Sequence, residues 1–227
     1  QSTKQITRTM EMVSTAKIRR ALDRAVQSEP YKAALTDVML TVAQDAQAAG
    51  DNPMLKRRET VKRGLVIAIA SDRGLAGGFN VGVERAAEKA MGEWERAGAE
   101  AQIITCGRKP SEYFRNHPRL QMHFEGTSAD PDLEQARMIS SYVCRAYAAG
   151  GLDRVLLIYH HAKNRVDQEL RVETLLPLDP QAVAMAHGPR KNQDEGPSRV
   201  SSSFKFVPSA EHVLGELVPS YILTVIH

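Results

Sequence analysis

The sequence predicts an α/β protein: a doubly wound, mostly parallel sheet flanked by a long N-terminal helix and the start of a C-terminal one. Three observations predict it. Residues 64–70 (GLVIAIA) form a continuous apolar run bounded by turn residues, the pattern of a strand buried on both faces under helices. Strand and helix patterns then alternate at the spacing of crossover units. The first 50 or so residues repeat apolar positions at helical period, over a reach of roughly 60–70 Å that a small domain cannot cover alone.

Residues 4–49 hold one proline and no glycine, and are rich in good helix formers. Apolar side chains recur as Ile6, Met10 and Val13, then Ile18, Ala21, Leu22 and Ala25, then Leu35, Val38, Met39, Val42 and Ala46. The stripe changes face between Val13 and Ile18, where Lys17, Arg20 and Arg24 take over the first face. Such a stripe suits a helix wound against one neighbour and touched by others. Pro30 predicts a kink in a continuous helix, because the same period resumes at Leu35. Gly50-Asp51-Asn52-Pro53 is a stop. The basic residues Lys56, Arg57, Arg58, Lys62 and Arg63 read as a solvated linker.

The strand at 64–70 runs into Ser71-Asp72-Arg73-Gly74-Leu75-Ala76-Gly77-Gly78-Phe79-Asn80 and then a helix over about 81–97. A strand at 101–106, a short helix at 110–116 and a minor strand at 120–124 follow. Asp130-Pro131-Asp132 opens a helix with Leu133, Ala136, Ile139, Val143 and Tyr147 on one face. Residues 154–160 form the third clear strand, and 168–176 alternate as an edge or antiparallel strand. Residues 177–203 read as loop. Phe204-Lys205-Phe206 alternates, and Ser209 is a candidate N-cap for a last helix, 210–227, carrying Val213, Leu214, Leu217, Tyr221 and Val225.

Apolar residues at 42% and charged residues at 25% give a globular composition with a real core. Net charge is only +3, so the basic character is local to the first helix. Cys106 and Cys144 stand in no motif spacing, which argues against a disulfide scaffold or zinc site and for a reducing compartment. No run approaches the ~18–20 apolar residues of a membrane span and no signal peptide is evident, so any membrane link runs through partners.

The most site-like stretch is 71–80. Glycines between a buried strand and a helix can let a backbone approach a phosphate. Gly74, Gly77 and Gly78 do not make the dinucleotide fingerprint, however, and no Walker lysine follows. A tight structural turn explains them as well. His160-His161 point to opposite faces of a strand, which is awkward for a shared metal. No nucleophile elbow or other catalytic constellation is present, so no cofactor, metal or catalytic residue is assigned.

The segment TKQITRTMEMVSTAKIRRA, with Met12, Val13, Ala16 and Lys17 in a Met-Val-x-x-(Ala/Ser)-Lys pattern, resembles the N-terminal helix of the F-type ATP synthase gamma subunit family. Ser71-Asp72-Arg73-Gly74-Leu75-x-Gly77-Gly78-x-Asn80 is similar to that family's strand-to-helix segment, with Ala76 where many relatives have cysteine. Phe204-Lys205-Phe206-Val207-Pro208-Ser209 resembles the family segment just before the C-terminal helix, with Val207 where relatives often carry an acid, and 210–226 resembles the start of that helix. The resemblance implies a shaft helix at 1–50, a linker at 51–63 and a Rossmann-like foot domain at 64–176. It places a loop and short strand at 177–208 and the start of a second shaft helix at 209–227, forming an antiparallel coiled coil with the first. It further implies that most of the C-terminal helix and a few N-terminal residues are missing, and that the 71–80 turn binds no nucleotide.

The same resemblance implies a non-catalytic rotor, coupling proton-driven rotation of the c-ring to conformational changes in a catalytic alpha/beta hexamer. Met12, Val13, Lys17, Arg8, Arg20 and Arg24 are then the expected contacts with the alpha and beta subunits, with Lys4 and Arg19 adding charge. Phe204, Lys205 and Phe206 are the expected contacts with the epsilon subunit and the c-ring. The expected location is the cytoplasmic face of a bacterial plasma membrane, or the matrix or stromal face of an organelle membrane. Two rival readings remain at this stage. One is a nucleotide- or flavin-binding α/β enzyme with an N-terminal oligomerisation helix. The other is a basic helix on nucleic acid, which the low net charge disfavours.

Overall fold

The computed structural model describes residues 2–43, 52–127, 131–164, 167–179, 182–183 and 210–226. Helix α1 (Ser2–Ala43) runs unbroken through Pro30. It is about 63 Å long at the rise of an α-helix. Pro30 leaves the Val26 carbonyl without its helical donor, but both residues are exposed, so water can take the place of the missing bond. The expected stop at Gly50 lies outside the described residues.

Five strands form one sheet in the order β3-β2-β1-β4-β5. They are β1 (Arg63–Ile69), β2 (Glu100–Cys106), β3 (Leu120–Phe124), β4 (Arg154–Ala162) and β5 (Gln168–Leu176). β1 pairs in parallel with β2 and β4, β2 in parallel with β3, and β5 antiparallel with β4. The order runs outward from β1 in one direction and then returns to its other side, so the sheet is doubly wound as predicted. The apolar run of β1 is buried on both faces. Val66 and Ala68 pack in one cluster with Val83, Ala87 and Met91 of α2 (Phe79–Arg96). Leu65 and Ile67 pack in the other with Ile139, Val143 and Tyr147 of α4 (Leu133–Ala148).

Two predicted helices shift. α2 begins at Phe79 rather than Val81, because Asn80 is drawn into the first turn by its bonds to the preceding loop. The short helix α3 spans Arg108–Tyr113 instead of 110–116, which puts Pro110 inside the first turn, where a missing N–H costs nothing. Gly107, at φ 106°, lies so close to the Ala70 carbonyl that a Cβ would collide with it. Gly64 is needed for a similar reason, since the Trp94 ring lies where its Cβ would be. Asp132 caps α4 by accepting the Glu134 N–H at 3.0 Å.

The basic stretch before β1 is not wholly solvated, and this corrects the linker expectation. Arg58 Nη1 lies 2.6 Å from Asp153 Oδ1 and also donates to the Leu152 carbonyl at 2.7 Å. Its Nη2 donates to the Tyr147 carbonyl at 2.9 Å, and the guanidinium sits 4.8 Å from the Tyr147 ring centre. Asp153 Oδ2 accepts the N–H groups of Lys62 and Arg63, both at 2.8 Å. Burial alone would raise the Asp153 carboxyl, but the Arg58 hydrogen bond and the two backbone donors outweigh it and hold the group below its ordinary range. This clamp fixes the chain between α1 and the sheet.

The last helix, α5 (Ala210–Ile226), returns along the domain. Its Val218, Tyr221 and Ile222 share the larger buried cluster with Leu35, Met39 and Val42 of α1. Ser140 of α4 donates to the Pro219 carbonyl at 3.0 Å and ties α5 to the domain. The Ser209 cap and the Phe204-Lys205-Phe206 segment lie outside the described residues. Among the described residues, no helix is long and apolar enough to cross a membrane.

Candidate functional site

Two features carry the candidate residues, the exposed part of α1 and the turn after β1. Residues 3–31 of α1 are exposed throughout. Ile6, Met10, Met12, Val13, Ile18, Leu22 and Val26 all stand in that stretch, with Val26 71% exposed. Seven exposed apolar side chains on one helix are a surface that, among the described residues, has no partner in the chain's own core.

The six expected contact residues are all there and all exposed, but they do not share one face. At about 100° per residue, Val13, Lys17, Arg20 and Arg24 fall within a sector of roughly 60°. Arg8 and Met12 lie roughly 130° further round. A single flat partner cannot touch both groups, so the helix presents different chemistry to different sides. The Val13 face also borders a groove lined by Gln5, Ile6, Thr9, Met10, Val13 and Ser14 of α1 together with Arg73 of the turn. The long-range placement of Arg73 beside α1 has no signal in the sequence.

The turn 71–78 is internally bonded. Ser71 N–H donates to Asn80 Oδ1 at 2.9 Å, and Asn80 Nδ2 donates to the Arg73 carbonyl at 3.0 Å. Ser71 Oγ bonds the Arg73 carbonyl at 2.5 Å. Asp72 Oδ1 accepts the Arg108 N–H at 2.8 Å and the Gly126 N–H at 2.7 Å, joining the loops that follow β1, β2 and β3. Ser71, Asp72 and Asn80 are therefore spent on holding loops together. Lys109, whose stem lies against Gly74, is paired with Glu112 at 2.8 Å. Gly77, at φ 57°, supplies left-handed backbone. Leu75, at φ 59°, is also left-handed and fully exposed at the tip. An exposed leucine in a conformation that leucine disfavours is the residue that sequence reasoning passed over.

The remaining candidates resolve into structural roles. His160 Nε2 lies 3.0 Å from the Phe79 carbonyl, and the ring stacks on Phe79 at 4.5 Å. Burial pushes the Cys106 thiol up to about 12 and Cys144 up to about 11, the latter against a smaller opposing effect of the neighbouring Ser140 hydroxyl. Neither thiol is a nucleophile at neutral pH. Burial also raises the Glu84 carboxyl, against the pull of Lys109 and with a push from Glu88.

A family model described as ATP synthase matches residues 1–227. The chain is 35% identical to the ATP synthase gamma chain of Chlorobaculum tepidum over 98% of this chain and 73% of that one. It is 33% identical to the gamma chain of Geobacter sp. strain M21 over 97% of this chain and 72% of the relative. Its fold matches a chain of the Tetrahymena thermophila mitochondrial ATP synthase central stalk and c-ring structure, with a TM-score of 0.62 and 20% identity. That match covers 97% of this chain and 89% of the other. With a family match over residues 1–227 and gamma-chain relatives over almost all of those residues, the chain belongs to the ATP synthase family as a gamma chain.

Proposed function

We propose that this gamma chain is the non-catalytic central shaft of its complex, turning with a membrane c-ring inside a hexamer of alpha and beta subunits. The observation that carries the proposal is the exposed, unequal surface of α1 over residues 3–31. A shaft acts by meeting each catalytic subunit with a different face. Val13, Lys17, Arg20 and Arg24 offer one sector, cationic apart from Val13, and Arg8 with Met12 offers another. A catalytic subunit facing one sector is stabilised in a conformation that its neighbours are not, so rotation passes that bias round the ring. The required asymmetry is modest, since a few kcal/mol of differential contact shifts a two-state population strongly.

The same surface supports the partner chemistry. Lys4, Arg8, Lys17, Arg19, Arg20 and Arg24 outnumber Glu11 and Asp23 between residues 4 and 24. Acidic surfaces on the alpha and beta subunits are the complement, and such contacts weaken with salt where they stay exposed. Arg73 and Leu75 extend this surface from the helix onto the domain. The sheet domain is the foot, which engages the epsilon subunit and the c-ring, with Phe204, Lys205 and Phe206 in that contact. The complex sits at the cytoplasmic face of a bacterial plasma membrane or the equivalent face of an organelle membrane, held there by its partners.

Native mass spectrometry of the assembly from its own source tests the reading. The expected species holds three copies each of two larger subunits and one of this chain. A chain that stays alone when mixed with alpha and beta subunits, across low and physiological salt, overturns it.

A further inference from the structure

A pocket of about 330 Å³ opens at the C-terminal ends of β1 and β4, under the N-terminal part of α4 and the end of α5. This is where the strand order reverses, the position at which doubly wound sheets place ligands. Its wall is mainly apolar, with Ile69, Ile139, Leu157 and Val225 among the lining residues. No lysine or arginine lines it among the described residues, so it is a poor site for a nucleotide, whose phosphates need cations or free backbone donors.

Most polar groups in the wall are already used. Tyr159 donates to Glu173 at 3.1 Å, Asp132 caps α4, and Ser71 Oγ bonds the Arg73 carbonyl. Three wall residues are different: Thr127 Oγ1, Gln135 Oε1 and His160 Nδ1 are buried with no hydrogen-bond partner among the described residues. Native proteins rarely leave such atoms unpaired, because a buried polar group without a partner is destabilising. The His160 case is informative. Its Nε2 faces a carbonyl, so Nε2 carries the proton and Nδ1 is left as an acceptor. Gln135 Oε1 is also an acceptor. The pocket therefore combines an apolar wall, an aromatic pair (Phe79 and His160) and two unmatched acceptors.

We propose that this pocket binds a small, neutral, mainly apolar molecule that brings a hydrogen-bond donor, of the indole or phenol class. The site is independent of the shaft surface on α1. It joins Val225 and Ile226 of α5 to Gln135 and Ile139 of α4 and to the sheet, so an occupant bridges the second shaft helix and the foot.

The test is a titration of the full chain followed by backbone amide NMR, using indole, its isostere indene (which lacks the N–H) and ATP. Saturable shifts with indole centred on Ser71, Phe79, Gln135 and His160 are expected. Indene should bind about tenfold more weakly, the value of one hydrogen bond, and ATP should leave those amides unmoved. Gln135→Met and His160→Phe each remove one of the two acceptors, so at least one of them should weaken indole and leave indene unchanged. A pair that both leave indole unchanged overturns the donor requirement. Equal binding of indole and indene overturns the donor requirement. No saturable shift with indole, or ATP shifts at the same amides, overturns the site.

Discussion

The two ends of α1 are made of the same kinds of residue and have opposite fates. Leu35, Met39 and Val42 are buried against Val218, Tyr221 and Ile222, with Met39 and Val42 at 0% exposure. Ile6, Met10 and Val26 are 57–71% exposed on the same continuous helix. Helix propensity and local hydrogen bonding do not distinguish them. A tertiary partner does. One end of α1 is domain core and the other is exposed, so in the proposed reading folding and recognition are carried by separate stretches of one element. Substitutions should separate them.

The largest effect belongs at the core end. Met39→Ala removes a fully buried side chain from the α1–α5 seam and should cost about 3 kcal/mol, read as a lowered urea midpoint. Val26→Ala, at the bare end, should change the same midpoint by less than about 0.5 kcal/mol. Equal effects at the two positions would break the comparison.

The Arg58–Asp153 clamp comes next. It holds the chain where α1's buried end gives way to β1. Asp153→Asn keeps the shape and removes the charge, and should cost about 2 kcal/mol. The sign with pH follows from the lowered carboxyl. Its contribution is fully present above the ordinary aspartate value of about 4 and disappears as pH falls through the lower folded value. Wild type should therefore lose more stability than Asp153→Asn on acidification below about pH 4. Parallel acid curves for the two proteins would show that the clamp carries no net charge energy.

Amide exchange draws the same boundary without mutation. In the isolated chain, residues 6–26 should exchange quickly, because they are exposed and, among the described residues, stand outside both buried core clusters. Residues 39–42 and β1 should exchange only with global unfolding. Strong protection in the first stretch would mean that α1 has found a partner in solution.

The sequence made the sheet legible because β1's run of apolar residues has a short list of causes. The long helix was legible from period alone, even across Pro30. What it hid were pairings between distant residues. Arg58 looks like one more linker cation until Asp153, 95 residues on, is seen beside it. Asp72 looks like part of a glycine-rich binding loop, yet its carboxylate ties Arg108 and Gly126. The proposed contact residues on α1 rest on resemblance, and composition explains why nothing local would have found them. A helix surface carries no record of what it meets. Only their division between two faces follows from spacing, and it gains meaning once the helix is seen to be bare.

The smallest effect on stability is the sharpest test of the division. Arg20 and Arg24 are exposed and lie on the Val13 sector of α1. Converting both to glutamate reverses charge on a solvated face and should leave the urea midpoint of the isolated chain within about 0.5 kcal/mol. Binding to an alpha/beta assembly should fall at low salt by about an order of magnitude or more, since attraction becomes repulsion. The deficit should shrink as salt rises and the Debye length drops from ~10 Å at 0.1 M toward ~3 Å at 1 M. The paired change Arg8→Glu with Met12→Glu alters the other sector and should weaken assembly in its own right. If either pair leaves assembly untouched while the other abolishes it, the helix works through one face, and the unequal-shaft reading gives way to a simple plug.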